Sequence, residues 1–262
     1  MKSRLFFLML AVASLVAADA GLVERAVIYE QAGVVLEGFH VFDDAVAGTR
    51  PAVLVIHQWT GLSDYEKQRS RQLAALGYNV LAADIYGKGV RPQAPAEAGK
   101  EAAKFKGDRA LYRARLLAGL EELRKDPQTD TTKIAAIGYC FGGTGALELA
   151  RAGAPVCGVV SFHGGLDAVE GFAAKPGLMP AKVLVLHGAA DPFAPAAQVA
   201  ALEQELTAAK ADWQVVLYGG AVHAFTQRGA GDDPSQGAAY HAAADRRSWQ
   251  AMMDFFAEIF AR

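Results

Sequence analysis

The stretch Lys133-Ile134-Ala135-Ala136-Ile137-Gly138-Tyr139-Cys140-Phe141-Gly142-Gly143-Thr144 decides the fold. A short apolar run reads as a buried strand, and a helical pattern over Phe141–Ala152 follows it. Between them lies G-x-C-x-G, the cysteine form of a nucleophile elbow. The chain must turn sharply from strand to helix. The middle residue is then strained with its side chain exposed, and glycine suits the crowded positions two residues either side. A cysteine there sits at a helix N-terminus, where the dipole favours a thiolate. The amide of Phe141 is placed to face a developing oxyanion. A phosphate loop is excluded because Thr144-Gly145 follows the glycines where Lys-Ser/Thr is needed. The dinucleotide pattern G-x-G-x-x-G is absent.

Outward from this stretch, strand and helix patterns alternate. Strands are expected at Ala26–Glu30, Val34–Val41, Ala52–His57, Asn79–Ala83, Lys133–Gly138, Val156–Phe162, Lys182–His187 and Trp213–Tyr218. Continuous apolar runs such as Ala52–Ile56 and Val183–Leu186 suit strands covered on both faces of a parallel sheet. The first two are more polar and fit an antiparallel start. Helices are expected at Ser63–Leu76, Pro95–Phe105, Arg109–Lys125, Phe141–Ala152, Pro195–Ala209 and Ala238–Phe260. The last places Trp249, Met252, Met253, Phe256, Ile259 and Phe260 on one stripe, the signature of core packing. Such alternation means an α/β fold, a mostly parallel eight-stranded sheet with helices on both faces. There is no internal repeat or linker, so residues 21–262 read as one domain, with 227–237 a long surface loop.

An elbow of this kind takes its partners in the order nucleophile, acid, histidine. Asp191 lies in the loop after Lys182–His187, and His223 in the loop after Trp213–Tyr218. Open α/β sheets place their sites at such strand ends. His223 is the expected general base, with Asp191 fixing its tautomer. Of the other histidines, His57, His163 and His187 also end strands but come too early in this order, and they read as loop anchors or site-lining groups. There is no Cys/His cluster with metal spacing, so no metal and no cofactor are expected.

The 262 residues are 52% hydrophobic and 21% charged with net charge −2, a globular balance. No basic face points to nucleic acid. At the N-terminus, Lys2 and Arg4 precede the apolar run Leu5–Ala18, too short to span a bilayer. With the small-x-small triplet Ala18-Asp19-Ala20, this reads as a signal peptide over residues 1–20 and implies a secreted or periplasmic protein. Removing it leaves 242 residues with no membrane segment. Two cysteines in an oxidising space suggest one disulfide. A bridge would consume Cys140, so Cys157 is read instead as a buried core thiol.

Together, Val55-Ile56-His57-Gln58-Trp59-Thr60-Gly61, Ala83-Asp84-Ile85-Tyr86-Gly87, Gly138–Gly143, His187-Gly188-Ala189-Ala190-Asp191 and His223-Ala224-Phe225 resemble the dienelactone hydrolase family of α/β-hydrolases. The resemblance runs from about Arg25 to Arg262. It implies an α/β-hydrolase fold, a Cys140–His223–Asp191 triad, and an oxyanion hole from the amides of Phe141 and Trp59. It also implies a small-molecule ester or lactone as substrate and a covalent thioester intermediate. A monomer is expected. Two departures stand out. Where the family pattern carries a glutamate that helps ionise the cysteine, this chain has Gln58, so a standing Cys140–His223 ion pair is the expected replacement. Where the family holds a substrate carboxylate with arginine shortly after the histidine, this chain has Gln227, leaving Arg228, Arg91 or Arg109 as substitutes. Gln58 is also a candidate substrate-binding residue, and Tyr86, Trp59, Phe193 and Phe225 are the expected pocket lining. The alternatives are a broad carboxylesterase or thioesterase without carboxylate preference, and a binding protein on a hydrolase scaffold.

Overall fold

The computed structural model describes residues 21–261. The leader read at residues 1–20 lies outside the described residues. One sheet of eight strands organises the chain in the order β1-β2-β4-β3-β5-β6-β7-β8. The strands are β1 (Leu22–Gln31), β2 (Val34–Asp43), β3 (Arg50–Ile56), β4 (Asn79–Ala83), β5 (Thr129–Tyr139), β6 (Gly158–Phe162), β7 (Lys182–Gly188) and β8 (Trp213–Tyr218). β1 and β2 form an antiparallel hairpin, and β2 meets β4 antiparallel. From β4 to β8 every pairing is parallel. The polar start and apolar centre of the sequence thus map onto edge and interior, because central parallel strands are covered on both faces.

The helices are α1 (Asp64–Ala74), α2 (Pro95–Gly107), α3 (Arg109–Lys125), α4 (Phe141–Arg151), α5 (Ala196–Ala208) and α6 (Ala242–Phe260). Strand alternation divides the core in two. Ala52, Leu54 and Ile56 of β3 join Phe105, Leu116, Leu147 and Leu202 of α2 to α5. Val53 and Val55 face the other way, towards Leu73 of α1 and Met252, Phe256 and Ile259 of α6. Side chains two apart along a strand share a face, so one short run seals both layers.

Two expectations need correction. The last helix begins at Ala242, not Ala238. Residues before it are held by the preceding loop: the His223 amide donates to Gly237, the Ala239 amide to His223, and the His241 amide to Phe225. That backbone pairing outcompetes an added helical turn, and the His241 side chain caps the helix by accepting from the Ala244 amide at 3.2 Å. Cys157 lies just before β6 and is only half-buried, its thiol donating to the Thr132 carbonyl at 3.1 Å. Both cysteines are free thiols.

Candidate active site

Cys140 sits between β5 and α4 at φ 56° and ψ −114°, a conformation L-residues adopt only under constraint. The constraint is glycine sterics. A Cβ on Gly138 would collide with the Gly142 carbonyl, and one on Gly142 with the Ile56 carbonyl. A Cβ on Gly143 would lie 2.8 Å from Ser161 Oγ. The crossing of Gly142 over the end of β3 brings the segment carrying Trp59 to the elbow. Below it, Tyr112 donates its hydroxyl to the Phe141 carbonyl at 2.7 Å, and its ring stacks on Phe141 with centroids 4.5 Å apart.

The three expected residues converge from three strand ends. His223 Nε2 lies 3.1 Å from Cys140 Sγ, and His223 Nδ1 lies 2.8 Å from Asp191 Oδ2. The second Asp191 oxygen accepts from the amides of Phe193 (2.8 Å) and Ala194 (3.3 Å), which fixes the carboxylate. His187, at the end of β7, donates Nε2–H to the Ala194 carbonyl at 2.8 Å and closes that loop. Asp191 is buried, whereas Cys140 and His223 are partly open to solvent.

The electrostatics favour an ion pair. Burial pushes the Cys140 thiol up, but the His223 charge and hydrogen bond, the Lys106 charge and the Phe141 amide outweigh it, leaving the thiol below its ordinary value. Burial pulls His223 down, but the Cys140 charge and the bonds to Asp191 and Cys140 raise it to about 10. Both shifts act in the direction that favours a thiolate beside an imidazolium.

Around this centre the remaining candidates separate. Phe141 is the first residue of α4, so its amide has no partner within the helix. Trp59 is 37% exposed at the mouth, and its carbonyl accepts from the Tyr86 hydroxyl at 2.8 Å. Tyr86 therefore braces the segment carrying the expected oxyanion amide. Phe193, 60% exposed, stands edge-on to His223 with centroids 5.3 Å apart. Phe225 is buried against Tyr218 and His163 in the core and does not line the mouth.

Gln58 is buried too. Its backbone amide and side-chain NH2 donate to Glu66 Oε1 at 3.1 and 3.3 Å, while Ser63 donates N–H and Oγ–H to Glu66 Oε2 at 2.9 and 2.6 Å. One buried carboxylate thus anchors the loop and caps α1.

The arginines are engaged elsewhere. Arg91 donates to the Val90 and Gly87 carbonyls at 2.8 and 3.2 Å and lies 3.5 Å from Asp84 Oδ1. Arg109 donates to Asp167 at 3.0 Å. Arg228 lies over the Tyr240 ring at 5.0 Å, beside a polar cavity of about 450 Å³ shared with Asp64, Tyr65, Arg69 and Thr226. Besides His223, the cation whose charge lowers the Cys140 thiol is Lys106, exposed in the last turn of α2 next to Phe105, whose ring lies 6.1 Å from that of Phe141. Sequence reasoning missed Lys106, because no local pattern gives the direction of an exposed helix-end lysine. The Ser63-x-x-Glu66 cap was legible as a motif, but its bond to Gln58 was not. Among the described residues no group of three or more His, Cys, Asp or Glu side chains could hold a metal ion.

Residues 36–260 match the dienelactone hydrolase family. A Caenorhabditis elegans protein, the uncharacterized protein K02A2.1, is 38% identical over 56% of this chain and 93% of its own length. A Yersinia pestis protein named "Putative carboxymethylenebutenolidase" is 29% identical over 82% of this chain and 80% of its own. The crystal structure of a dienelactone hydrolase-like promiscuous phosphotriesterase from metagenomic libraries superposes with TM-score 0.86 and 41% identity, covering 91% of this chain and 99% of that one.

Proposed function

The chain belongs to the dienelactone hydrolase family and is by that membership a carboxylic-ester hydrolase, and from this premise we propose that it cleaves small esters or lactones through a Cys140–His223–Asp191 triad. The observation that carries the reading is the hydrogen-bonded line from Cys140 Sγ through both His223 nitrogens to Asp191, at 3.1 and 2.8 Å, on a strained elbow. The Cys140 thiolate attacks the carbonyl carbon, and the carbonyl electron pair moves to oxygen, where the Phe141 and Trp59 amides receive it. Collapse expels the alkoxide or enolate, which takes the proton of the His223 imidazolium. The thioester remains. Neutral His223 then removes a proton from water, the hydroxide adds, and the thiolate leaves to restore the pair. Asp191 holds His223 in the required tautomer throughout.

The exposed Trp59 and Phe193 favour an apolar group at the mouth, and Lys106, whose charge lowers the Cys140 thiol, is the candidate partner for an anionic one. The leader over residues 1–20 supports export, and intact-mass measurement of the protein recovered from the periplasm checks it by a loss of that segment. A panel of neutral p-nitrophenyl esters, carboxylate-bearing lactones and thioesters tests the reaction on wild type and Cys140→Ala. Turnover abolished in the variant and a protein mass increased by the acyl group support it. Equal turnover by both chains sinks it. The likeness to a promiscuous phosphotriesterase favours a second reading, attack of the same thiolate on phosphorus, and a neutral phosphotriester added to the panel decides that.

A further inference from the structure

We propose that His163, at the end of β6, is a positioning residue that sets the place of His223; the inference rests on the proposed triad. His163 is buried and holds φ at 40°, unusual for a residue with a Cβ. Its amide donates to the Leu186 carbonyl at 2.9 Å, which locks it between β6 and β7. Around its ring wraps the segment His223–Thr226. The His223 ring meets it edge-on, with centroids 5.2 Å apart at 65°. Phe225 meets it at 5.1 Å and 81°. Thr226 Oγ1 lies 2.8 Å from His163 Nε2. Ala224, between them, takes φ 56°, which lets residues on both sides reach one ring.

Thr226 extends the contact outward. Its Oγ1 lies 2.7 Å from the Tyr65 hydroxyl, and its carbonyl accepts from Arg69 Nη2 at 3.1 Å. Arg69 also donates to Tyr65 Oη at 3.2 Å and to Asp245 Oδ1 at 2.5 Å. Arg69 can only donate. One consistent ordering therefore runs Arg69 to Tyr65, Tyr65 to Thr226, and Thr226 to His163 Nε2. It leaves the His163 proton on Nδ1, which is buried without a partner. An unpaired buried polar atom is costly and calls for a reason. Here the other ring nitrogen and both ring edges are used to fix the His223 segment.

The charged and titratable groups facing His163 are His223, His187 and Arg69, with Tyr139 at 6.1 Å. Burial and then the His223 charge hold His163 well below the ordinary histidine range. It therefore stays neutral and adds no second cation beside the imidazolium.

The test is His163→Phe, which keeps a ring and deletes the bond, beside His163→Gln and Thr226→Val, which partly restore or break it. The expected result for His163→Phe is a kcat lower by about tenfold or more with KM changed less than about twofold. The pH inflection for Cys140 alkylation should move up towards the ~8.5 of an ordinary thiol, and the His223 imidazole titration followed by NMR should move down. Thr226→Val should shift both titrations in the same direction, and His163→Gln should recover part of the loss. If the variants lose thermal stability but keep the wild-type kcat and both titrations, His163 is only a core filler and the inference is overturned. Should His163→Phe fail to fold, the same two titrations in Thr226→Val decide the question: shifted, they support the inference, and unchanged, they overturn it. The two titrations do not depend on turnover, so failure of the triad reading, seen with Cys140→Ala, is separable from failure of this one.

Discussion

The Cys140 elbow and the His223 loop each hold a non-glycine residue in the left-handed region, at Cys140 and Ala224, but by different means. At the elbow the constraint is close steric packing around three glycines. Gly138, Gly142 and Gly143 leave no room for a Cβ, and the atoms they would strike belong to the elbow itself, to β3 and to the end of β6. In the loop the constraint is remote. Thr226 is held by Tyr65 and Arg69 from α1 and by His163 from β6, and the His223 backbone pairs with Gly237 and Ala239. The nucleophile is thus built into the backbone, whereas the base is hung from side chains. Damage to the first should cost the fold, and damage to the second should cost the chemistry before the fold.

That contrast can be broken in order of effect. Gly142→Ala puts a Cβ against the backbone carbonyls of Ile56 and His57, which cannot swing away. It should destabilise by about 3 kcal/mol or more, or prevent recovery of soluble protein. A near-wild-type urea midpoint would show that the elbow is not fixed by backbone sterics. Asp191→Asn keeps the shape of the loop but loses the charge that holds the imidazolium. It should lower kcat by about 10³-fold or more while the urea midpoint moves little; a parallel loss of both would erase the contrast.

The pH profile sharpens it next. His223 is raised to about 10, so its proton is fully held at neutral pH and is lost as pH rises through that value. Turnover should fall there, because the leaving group loses its acid. Any stability from the raised His223 is present below the ordinary ~6.5 and is lost as pH rises through about 10. The lowered Cys140 has the opposite sense: its contribution is lost as pH falls through its lowered value. His223→Ala should raise the alkylation inflection of Cys140 towards or above ~8.5, since burial then acts without its largest counterweight. An unchanged inflection would refute the ion pair. The smallest effect is expected for Tyr65→Phe, which removes the hydroxyl bonded to both Thr226 and Arg69 and should cost about 1–2 kcal/mol, read in urea, with kcat reduced only a few-fold.

The split between glycine sterics and side-chain hydrogen bonds also explains which features the sequence reveals. Cys140 is legible because its glycine motif, Gly138–Gly143, is six consecutive residues. Asp191 and His223 are legible because strand ends of a parallel sheet share one edge, so chain order implies proximity. The side chains of Arg91, Arg228 and Phe225 are not. Arg91 turns back to the carbonyls of its own loop, Arg228 lies over Tyr240, and Phe225 faces the core. The start of α6 escapes the sequence for the same reason: Ala238 and Ala239 pair with His223 through backbone bonds that no local preference encodes. His163 carries one usable signal, a histidine at a strand end before Gly164-Gly165, but its bond to Thr226 spans 63 positions.

By itself the sequence determined the sheet, the elbow and the order of the three residues brought to its edge. Periodicity, glycine sterics and strand direction act over a few residues, and all are written in consecutive letters. Only the tertiary structure decided which cation reaches the thiol, which carboxylate takes the Gln58 amide and what steadies His223. Those outcomes depend on where α1 and α2 pack on the two faces of the sheet and where β6 ends. Long side chains there choose among several partners, and the choice is made by burial and distance after the chain has closed.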